Sequence, residues 1–583
     1  MVARRVNGWG GSMTATPAAN GSDAPCSPVT NGCEAHLAVP QRDDMKLREA
    51  LKRARESKAT ATLLVDASQT ATGECVEPVA VCPRTPPNAP LTRGRTLSVR
   101  RAFSNSTVLI TGATGYLGSL VMEQLLRLVP DVKRIYVIVR GKRGLSGDAR
   151  IDRLLARSLF HMHREKGVFR PELREKIVVV PGDLLQPRCG LSAADEKRLS
   201  AEVDFVVHSA ACISFDEHIH NLLAQNLQAT KLVAELARGM ARLGAFVHVS
   251  TAYTNCDHPR RAVVQERVYP LLAPSGKPLD IDALAAELAS LPPAAAEAAA
   301  KQLQKQLNIP NGYFLTKRMA ELYMLREAAS FPVAIVRPSL VGCVGGVPQP
   351  GYFGNTAGPT AIALGFATGI ATFTCHKEES VFDIIPGDVV SSNILAAAAA
   401  LTQGSADAAR PLVVHACSSC TNPTSLRDWW VFGYNYWSAN PSPVKLAPGD
   451  YPRPDRRPPP VGLPENGWVF WMWTMMDHIK FWIMSALLSL FGFAAYAQKL
   501  WAGWMSWRVY NREELDFDIL FSAEGAKDLE ARLAPAERAG LPLVWRAGEN
   551  DWEAYIRAHF DQIRYFFLQQ PQYKAKCLPA GET

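Results

Sequence analysis

The segment Val108–Arg140, VLITGATGYLGSLVMEQLLRLVPDVKRIYVIVR, decides the fold of this chain. It begins with three apolar residues, as a short buried strand does, and Gly112, Gly115 and Gly118 follow in the spacing G-x-x-G-x-x-G. An amphipathic helix comes next, and a second apolar strand covers Ile135 to Val139. The segment therefore predicts one complete unit of strand, turn, helix and strand.

A glycine-rich turn between a strand and a helix is suited to binding a dinucleotide. The first glycine allows the tight turn, the second lets the backbone approach a pyrophosphate, and the third lets the helix pack close to the strand. The N-terminus of the helix adds free N–H groups and a partial positive charge. We therefore expect the cofactor to contact Thr111, Gly112, Thr114, Gly115, Tyr116, Leu117 and Gly118.

The second strand of this unit ends in a base rather than an acid. Arg140 follows the strand, and Lys142 and Arg143 lie just beyond it. An acidic residue at this place would bind the ribose 2′-hydroxyl of NADH and repel a 2′-phosphate, whereas an arginine pairs with the phosphate. The sequence therefore favours NADPH. A solvated basic turn is the alternative, since arginines are common at protein surfaces.

Strands and helices alternate from Val108 to about Leu395, which predicts an α/β fold with a doubly wound parallel sheet. Ligands bind to such sheets beyond the carboxyl ends of the strands. Two further strand ends are therefore expected to contact the cofactor. Asp183 with Leu184 is expected to lie at the adenine, and the small residues Ser209, Ala210 and Ala211 are expected to lie at the middle of the cofactor. Asp183 as a simple turn former is the alternative.

Tyr313 and Lys317 lie four residues apart in a segment with helical periodicity, so they share one face of the helix. A phenol has an unperturbed pKa of about 10, and an ammonium group one turn away lowers it. Tyr313 can then act as a proton relay. A hydroxyl at the end of the fifth strand, from Thr251 or Ser250, can hydrogen-bond the same substrate oxygen. A core tyrosine and a surface lysine are the alternative.

Several segments together resemble the alcohol-forming fatty acyl-CoA reductases, which are extended short-chain dehydrogenase/reductases with a male-sterility-type carboxyl-terminal domain. The segments are TGATGYLG, IYVIVRGK, PGDL, HSAACISFDEHI, FVHVSTAYTN, NGYFLTK, AIVRPSLVG and FDIIPGDVV. The similarity covers residues 105–400 and resumes weakly in NREELDFDI and DWEAYIRAHFDQIRYFFL near the end of the chain.

The resemblance implies an NADPH-dependent enzyme that reduces a long-chain fatty acyl-CoA through a bound aldehyde to a primary alcohol and releases CoA. It implies a catalytic group of Thr251, Tyr313 and Lys317, with Asn226 helping to hold the lysine through water. It also implies an NADPH site formed by the three glycines and Arg140, with Pro338 bounding the nicotinamide pocket. The alternatives are another extended reductase or epimerase, acting on a sterol or a nucleotide sugar, and a non-catalytic dinucleotide-binding scaffold.

Composition and length suggest three parts in this chain of 583 residues. Residues 1–103 are expected to be a targeting or disordered extension, 104–400 the reductase domain and 401–583 a mainly helical domain with a proline-rich linker at 439–467. The net charge is +8, but the basic residues do not form the stripes that are typical of a nucleic-acid-binding protein. The twelve cysteines are scattered, which indicates a reducing compartment, and Cys417 with Cys420 is too little for a metal site.

Seven of the thirteen tryptophans lie between Trp468 and Trp507, around the uncharged run from Phe481 to Ala497. A helix over this run would be at the short limit for crossing a bilayer, whereas flanking tryptophans with Lys480 and Lys499 are typical of a helix at a membrane interface. We therefore expect an intracellular, membrane-associated protein, in the endoplasmic reticulum or a plastid. A buried helical subdomain that lines an acyl channel is the alternative.

Overall fold

A computed structural model describes residues 96–142, 144–165, 167–368, 379–403, 410–443, 468–509 and 518–577. Three parts of the sequence-based predictions lie outside these residues: the expected extension up to residue 95, the basic Arg143, and positions 444–467 of the expected linker. The side chains of Lys499 and Trp507 lie outside them as well.

The described residues contain short strands separated by helices. The strands, in chain order, are β1 (Thr107–Thr111), β2 (Arg134–Ile138), β3 (Arg164–Glu165), β4 (Val168–Phe169), β5 (Ile177–Val180), β6 (Phe205–His208), β7 (Ala245–Val249), β8 (Val263–Val264), β9 (Val333–Pro338), β10 (Leu340–Val341), β11 (Ile384–Ile385), β12 (Leu412–Ala416) and β13 (Leu520–Phe521).

The helices, in chain order, are α1 (Val99–Phe103), α2 (Tyr116–Leu128), α3 (Gly147–Leu155), α4 (Pro171–Arg174), α5 (Ala193–Glu202), α6 (Ile219–Leu222), α7 (Ala229–Arg238), α8 (Ile281–Ser290), α9 (Pro293–Leu307), α10 (Gly312–Glu327), α11 (Pro359–Thr368), α12 (Gly387–Thr402), α13 (Leu426–Ala439), α14 (Trp468–Leu490), α15 (Ala494–Val509), α16 (Glu524–Arg532), α17 (Trp552–Gln562) and α18 (Lys574–Cys577). A π-helical turn, Leu223–Gln228, joins α6 to α7.

Seven strands form one parallel sheet in the order β12-β9-β7-β6-β1-β2-β5. The chain runs outward from β1 in one direction and then returns to β6 to run outward in the other, so β1 and β6 are neighbours at the point where the strand order reverses. This is the doubly wound order, and it confirms the predicted fold class. A ligand of such a sheet binds at this reversal point, beyond the carboxyl ends of the strands.

The sheet is buried on both faces because its strands are apolar at successive positions. In β1, Val108 and Ile110 belong to a hydrophobic cluster that also contains residues of α2 and α12, whereas Leu109 belongs to a second cluster with residues of α7 and α10. Successive side chains of a strand point to opposite faces, so the two clusters cover the two faces of the sheet.

The sheet extends beyond the expected boundary at residue 400. β12 lies in the segment assigned from the sequence to the carboxyl-terminal domain, yet it pairs with β9 along its whole length. The physical reason is that all five residues of β12 are buried, and a strand without a polar face needs cover on both sides.

The fold also begins before the expected boundary at residue 103. Leu97, Val99 and Phe103 are fully buried in the core. The N–H of Leu97 donates to the carbonyl of Arg532, and the carbonyl of Leu97 accepts from the N–H of Ala534, each at 2.8 Å. The segment that precedes β1 is therefore attached to a segment near the other end of the chain.

The prediction of one helix over Phe481–Ala497 is wrong, because the chain turns between α14 and α15. Gly492 has a φ of +86°. Its N–H donates to the carbonyl of Ser489 at 3.2 Å, and the N–H of Phe493 donates to that of Leu488 at 2.7 Å. These two bonds form a Schellman motif, in which a glycine in the left-handed conformation ends a helix. The tryptophan-rich segment is therefore a helical hairpin.

The hairpin α14–α15 exposes many large apolar side chains. Its exposed residues include Trp468, Trp471, Met476, Trp482, Leu487, Leu490, Phe491 and Phe493, and in α14 only Asp477 and Phe481 are buried. The ring of Phe481 stacks on that of Trp504 in α15, with centroids 4.9 Å apart. In the part of the chain that the structure describes, no helix is both long enough and apolar enough to span a bilayer.

Candidate active site

A cavity of about 390 Å³ lies beyond the carboxyl ends of β1, β6, β7 and β9, where the strand order reverses. It brings together eleven of the residues that the sequence singled out, namely Gly112, Gly115, Tyr116, Leu117, Ser209, Ala211, Ser250, Thr251, Tyr313, Lys317 and Pro338. These residues are spread from position 112 to position 338 of the chain, and they meet because the carboxyl ends of parallel strands lie at one edge of the sheet.

The glycine turn packs tightly against the loop that follows β6. Gly112 has a φ of +71°, and a Cβ atom added to it would lie 2.7 Å from the backbone nitrogen of Ala210. A Cβ on Gly118 would lie 2.4 Å from the carbonyl oxygen of Gly112. Both positions therefore exclude every other residue, the first by conformation and close approach, the second by the contact of helix and turn. Gly118 and Ala210 themselves do not line the cavity.

Among the described residues, no side chain caps the N-terminus of α2, which begins after Gly115. The first N–H groups of this helix are therefore available to an anion, and the helix dipole favours negative charge there. Tyr116 is the first residue of α2, and its hydroxyl is within hydrogen-bonding distance of the carbonyl oxygens of Gly342 and Tyr352, at 3.0 and 3.1 Å. Its backbone is thus free to face a ligand while its side chain anchors the loop after β10.

A basic edge lies beside the glycine turn. Arg140, whose side chain is 52% exposed, lies 3.2 Å from the carboxylate of Asp183. Asp183 also accepts the N–H of Leu185 at 3.2 Å, so it makes the contact of a turn former as well. Two of the residues predicted to bind the cofactor, Arg140 and Asp183, are therefore in contact with each other. Lys142 and Leu184 lie in the same loops, the former exposed and the latter half-buried.

Arg150 on α3 completes this edge and was missed from the sequence. Its guanidinium donates to the carbonyl oxygen of Arg140 at 2.7 Å and to the hydroxyl of Thr114 at 3.1 Å. Burial and the positive charge of the nearby Arg140 lower the pKa of Arg150. Two neighbouring cations favour an anion between them. Nothing in the local sequence links Arg150 to Thr114, since α3 folds back only in the tertiary structure.

Lys317 lies beneath the cavity with its ammonium group buried. Its Nζ donates to the carbonyl oxygen of Val249, the last residue of β7, at 2.8 Å. Burial lowers the pKa of Lys317 to about 8, and the carboxylate of Glu321 opposes that shift. Tyr313, one turn earlier on α10, faces the same cavity and packs its ring on Phe215, with centroids 5.6 Å apart. Phe215 was not singled out from the sequence, although it lies in the HSAACISFDEHI segment.

The two hydroxyls after β7 differ in their surroundings. Thr251 donates to the carbonyl oxygen of Pro338 at 3.3 Å and accepts the N–H of Tyr253 at 3.4 Å. Ser250 is 4% exposed, and its hydroxyl has no hydrogen-bond partner among the described residues. A buried polar group without a partner is costly, so Ser250 Oγ is suited to a ligand oxygen in the cavity that it lines.

Asn226 lies in the π-helical turn and does not line the cavity. Its amide oxygen accepts the N–H of Cys212 at 2.8 Å, and its amide nitrogen donates to the carbonyl of Cys212 at 3.1 Å and to the hydroxyl of Thr316 at 3.2 Å. Asn226 therefore clamps the loop after β6 onto the helix that carries Lys317. Thr111, the last of the predicted residues, is fully buried below the turn.

These residues fit a nicotinamide dinucleotide. The turn offers a cradle that any Cβ would fill, the uncapped start of α2 suits a pyrophosphate, and the small residues Ser209 and Ala211 leave room beside it. The remaining wall of the cavity is apolar and aromatic, with Ile213, Phe215 and Phe314. Among the described residues, no cluster of histidine, cysteine and carboxylate side chains could hold a metal ion.

Comparison with known proteins agrees with this arrangement. An NAD-binding family model described as "Male sterility protein" matches residues 110–394. The chain is 32% identical to Fatty acyl-CoA reductase 1 of Gallus gallus and 31% identical to that of Xenopus laevis, in each case over 385 residues that cover 66% of this chain and 69% of the relative.

Among solved structures, the reductase domain of a nonribosomal peptide synthetase from Mycobacterium tuberculosis aligns with a TM-score of 0.51 at 18% identity, covering 79% of this chain and 92% of that domain. This similarity concerns the fold alone. The residues matched by the family model include the helix that carries Tyr313 and Lys317 and the loops after β6, β7 and β9 that line the cavity. With the male sterility model and these relatives in agreement, the chain belongs to the fatty acyl-CoA reductase family.

Proposed function

We propose that this protein reduces a long-chain fatty acyl-CoA to a primary alcohol with NADPH, and that a single site performs both reductions. The observation that carries the proposal is the cavity in which Tyr313, Lys317 and the hydroxyls of Ser250 and Thr251 face the glycine turn. An apolar wall on one side suits an acyl chain, and a glycine-rich wall on the other suits a dinucleotide.

The side chains divide the work as follows. When bound, the dinucleotide supplies a hydride to the substrate carbonyl. Tyr313 gives a proton to the oxygen that becomes negative, Ser250 and Thr251 hydrogen-bond that oxygen, and Lys317, held by the carbonyl of Val249, keeps a positive charge below the phenol. Loss of the CoA thiol from the reduced thioester leaves an aldehyde, which is a substrate for the same groups.

No covalent acyl-enzyme is needed for this route. Cys256, the cysteine nearest in sequence to Thr251, is buried, and burial raises the pKa of its thiol. A thiol in that state is a poor nucleophile, since the thiolate is the reactive form. We expect Cys256→Ala to keep its activity.

NADPH rather than NADH is proposed from the charges at the basic edge. Arg140 is half exposed and Arg150 lies beside it, so a 2′-phosphate would find two guanidinium partners. The contact of Asp183 with one nitrogen of the Arg140 guanidinium leaves the other nitrogens available to a phosphate.

We also propose that the protein works at an intracellular membrane surface, in the endoplasmic reticulum or a plastid, with the hairpin α14–α15 seated in the lipid interface. The support is the contiguous apolar surface of the hairpin, which is rich in tryptophan. The hairpin contacts α11, whose first residue, Pro359, lines the cavity. A membrane-bound acyl chain would thus have a short path to the site.

The direct test is a product analysis of purified protein with palmitoyl-CoA and NADPH. We expect a primary alcohol by gas chromatography and about two NADPH oxidised per alcohol, because a thioester needs two hydrides to become an alcohol. Tyr313→Phe should abolish both reductions, whereas Tyr565→Phe, outside the cavity, should not. Aldehyde accumulating at one NADPH per thiol released would contradict the proposed alcohol-forming reaction.

A further inference from the structure

A buried chain of hydrogen bonds runs below the glycine turn and has no part in the chemistry above. At its centre is His208, the last residue of β6, which is 1% exposed. Its Nδ1 lies 2.8 Å from the hydroxyl of Thr111, and its Nε2 lies 3.0 Å from the hydroxyl of Thr230. Thr230 in turn donates to the carbonyl of Asn226 at 2.7 Å, and Thr111 accepts the N–H of Ala210 at 3.4 Å.

The direction of every bond in this chain follows from the number of hydrogens available. Thr230 has one hydroxyl hydrogen, and the carbonyl of Asn226 takes it, so Thr230 Oγ1 must accept from Nε2–H of His208. Nδ1 is then the bare nitrogen, and Thr111 must donate to it. The lone pairs of Thr111 are thereby left for the N–H of Ala210. Burial and the nearby charge of Lys317 lower the pKa of His208 to about 3, which keeps the ring in the neutral form that this order requires.

The two ends of this series of hydrogen bonds hold one loop in place. At the first end, Thr111 holds the backbone of Ala210, which touches Gly112 so closely that no side chain fits between them. At the second end lies Asn226, whose amide grips both backbone polar groups of Cys212. The loop from Ser209 to Cys212 is thus held on both sides, and it forms one wall of the cavity next to the glycine turn.

We propose that His208 is a positioning residue for the dinucleotide. It fixes the loop after β6 against the glycine turn by donating to Thr230 and accepting from Thr111, without touching substrate or cofactor. The proposal rests on the proposed function only in that the cavity must bind a nicotinamide dinucleotide. It assigns His208 to cofactor affinity rather than to the chemical step.

The test compares His208→Leu, which removes both hydrogen bonds, with His208→Asn, whose amide oxygen can still accept from Thr111. The dissociation constant of NADPH is measured by its fluorescence, without acyl substrate, and KM and kcat are measured separately. We expect His208→Leu to raise the dissociation constant and KM for NADPH about tenfold, which corresponds to the net contribution of about one hydrogen bond. We expect kcat to stay within about twofold of the wild-type value. His208→Asn should recover most of the affinity.

Two further variants keep the test decisive. Thr230→Val removes the second arm at nearly constant volume and should weaken NADPH in the same direction, which covers the case that His208→Leu does not fold. Thr424→Val is the matched control, because Thr424 is buried and its hydroxyl has no partner among the described residues. Unchanged NADPH affinity in folded His208→Leu or Thr230→Val, or a loss confined to kcat, overturns the proposal. A wild-type protein that binds no NADPH would instead overturn the proposed function.

Discussion

At the residue scale, Lys317 combines a buried charge with a hydrogen bond that fixes it. The pKa of its ammonium group falls from 10.5 to about 8 because burial disfavours the charged form. Below about pH 8 the folded protein must carry this charge in its interior, which costs on the order of 3 kcal/mol of folding free energy. That cost diminishes as the pH rises from 8 to 10.5, where the unfolded chain binds more protons than the folded one. The position is therefore maintained at the expense of stability.

The same pKa predicts the pH dependence of the reaction. We expect kcat/KM to fall above about pH 8, because neutral Lys317 no longer supports loss of the phenolic proton of Tyr313. The measurement is a pH profile of NADPH oxidation with saturating NADPH and with acyl-CoA well below its KM, where the rate reports kcat/KM. Lys317→Arg is the control, since its charge does not titrate in this range and any remaining activity should show no such fall. A wild-type profile that stays flat to pH 9.5 would refute the role given to Lys317.

Arg140 decides the choice of cofactor in the proposed function. Arg140→Asp replaces a phosphate partner by a carboxylate, which repels a 2′-phosphate and can accept from a ribose hydroxyl. We expect the ratio of kcat/KM for NADPH to that for NADH to fall by about 10- to 100-fold, the range of a lost charge-assisted hydrogen bond. Arg557→Asp, an exposed arginine on α17, should leave the ratio unchanged. If Arg140→Asp leaves it unchanged as well, the basic edge does not select the cofactor.

At the element scale, the hairpin α14–α15 shows how one glycine redirects a segment. A continuous helix would have presented its apolar residues all round, but the turn at Gly492 folds α15 back onto α14 and buries Phe481, Leu500 and Trp504 between the hairpin and the core. The remaining apolar side chains face outward. Leu488 packs partly on the core, whereas Leu487 and Leu490 are exposed.

Exposed positions of the hairpin are the ones that should matter for membrane binding. Replacing Trp482, Leu487 and Leu490 by serine should prevent flotation with vesicles of phosphatidylcholine and phosphatidylserine, because it removes apolar area that would enter the interface. Activity in detergent should remain, since none of the three lines the cavity. Val168→Ser, which changes an equally exposed apolar residue elsewhere, is the control. Equal flotation of the triple variant and the wild type would exclude the hairpin as the membrane contact.

At the scale of the whole molecule, the segments beyond residue 403 complete the reductase fold. The buried pair of Arg337 on β9 and Glu321 on α10, with distances of 2.8 and 2.6 Å, continues to His415 on β12 at 3.2 Å. His415 reaches the carbonyl of Ser522 at 2.9 Å. The helix that carries Lys317 is thus linked through two strands to the last part of the chain.

A chain that ends at Gln403 should therefore fail to fold. It would expose the apolar edge of β9 and remove His415, a neutral hydrogen-bond partner of Arg337, and a buried donor left without its partner costs about 1–3 kcal/mol. We expect aggregation and loss of NADPH fluorescence enhancement, with circular dichroism as the second measurement. A chain that ends at Cys577 should behave as the full chain does. A soluble, NADPH-binding chain of residues 1–403 would show that β12 is dispensable.

The sequence by itself determined those features that local geometry controls. The strand, turn, helix and strand around Gly112 follow from hydrophobic periods and from the conformational freedom of glycine, and Tyr313 with Lys317 share a helix face because four residues make about one turn. The alternation of strands and helices then predicted the doubly wound sheet. These predictions needed no knowledge of which distant segments meet.

Only the tertiary structure decided the contacts between segments far apart in the chain. Arg150 reaches Thr114 because α3 folds back over the glycine turn, Asn226 grips Cys212 through a π-helical turn, and β12 joins β9 across a long separation in sequence. No periodicity encodes such pairings, because they are set by how the buried faces of all the elements pack together at once. Loop closure over long distances is specified by the whole core, and a single sequence reveals only the faces that must be buried.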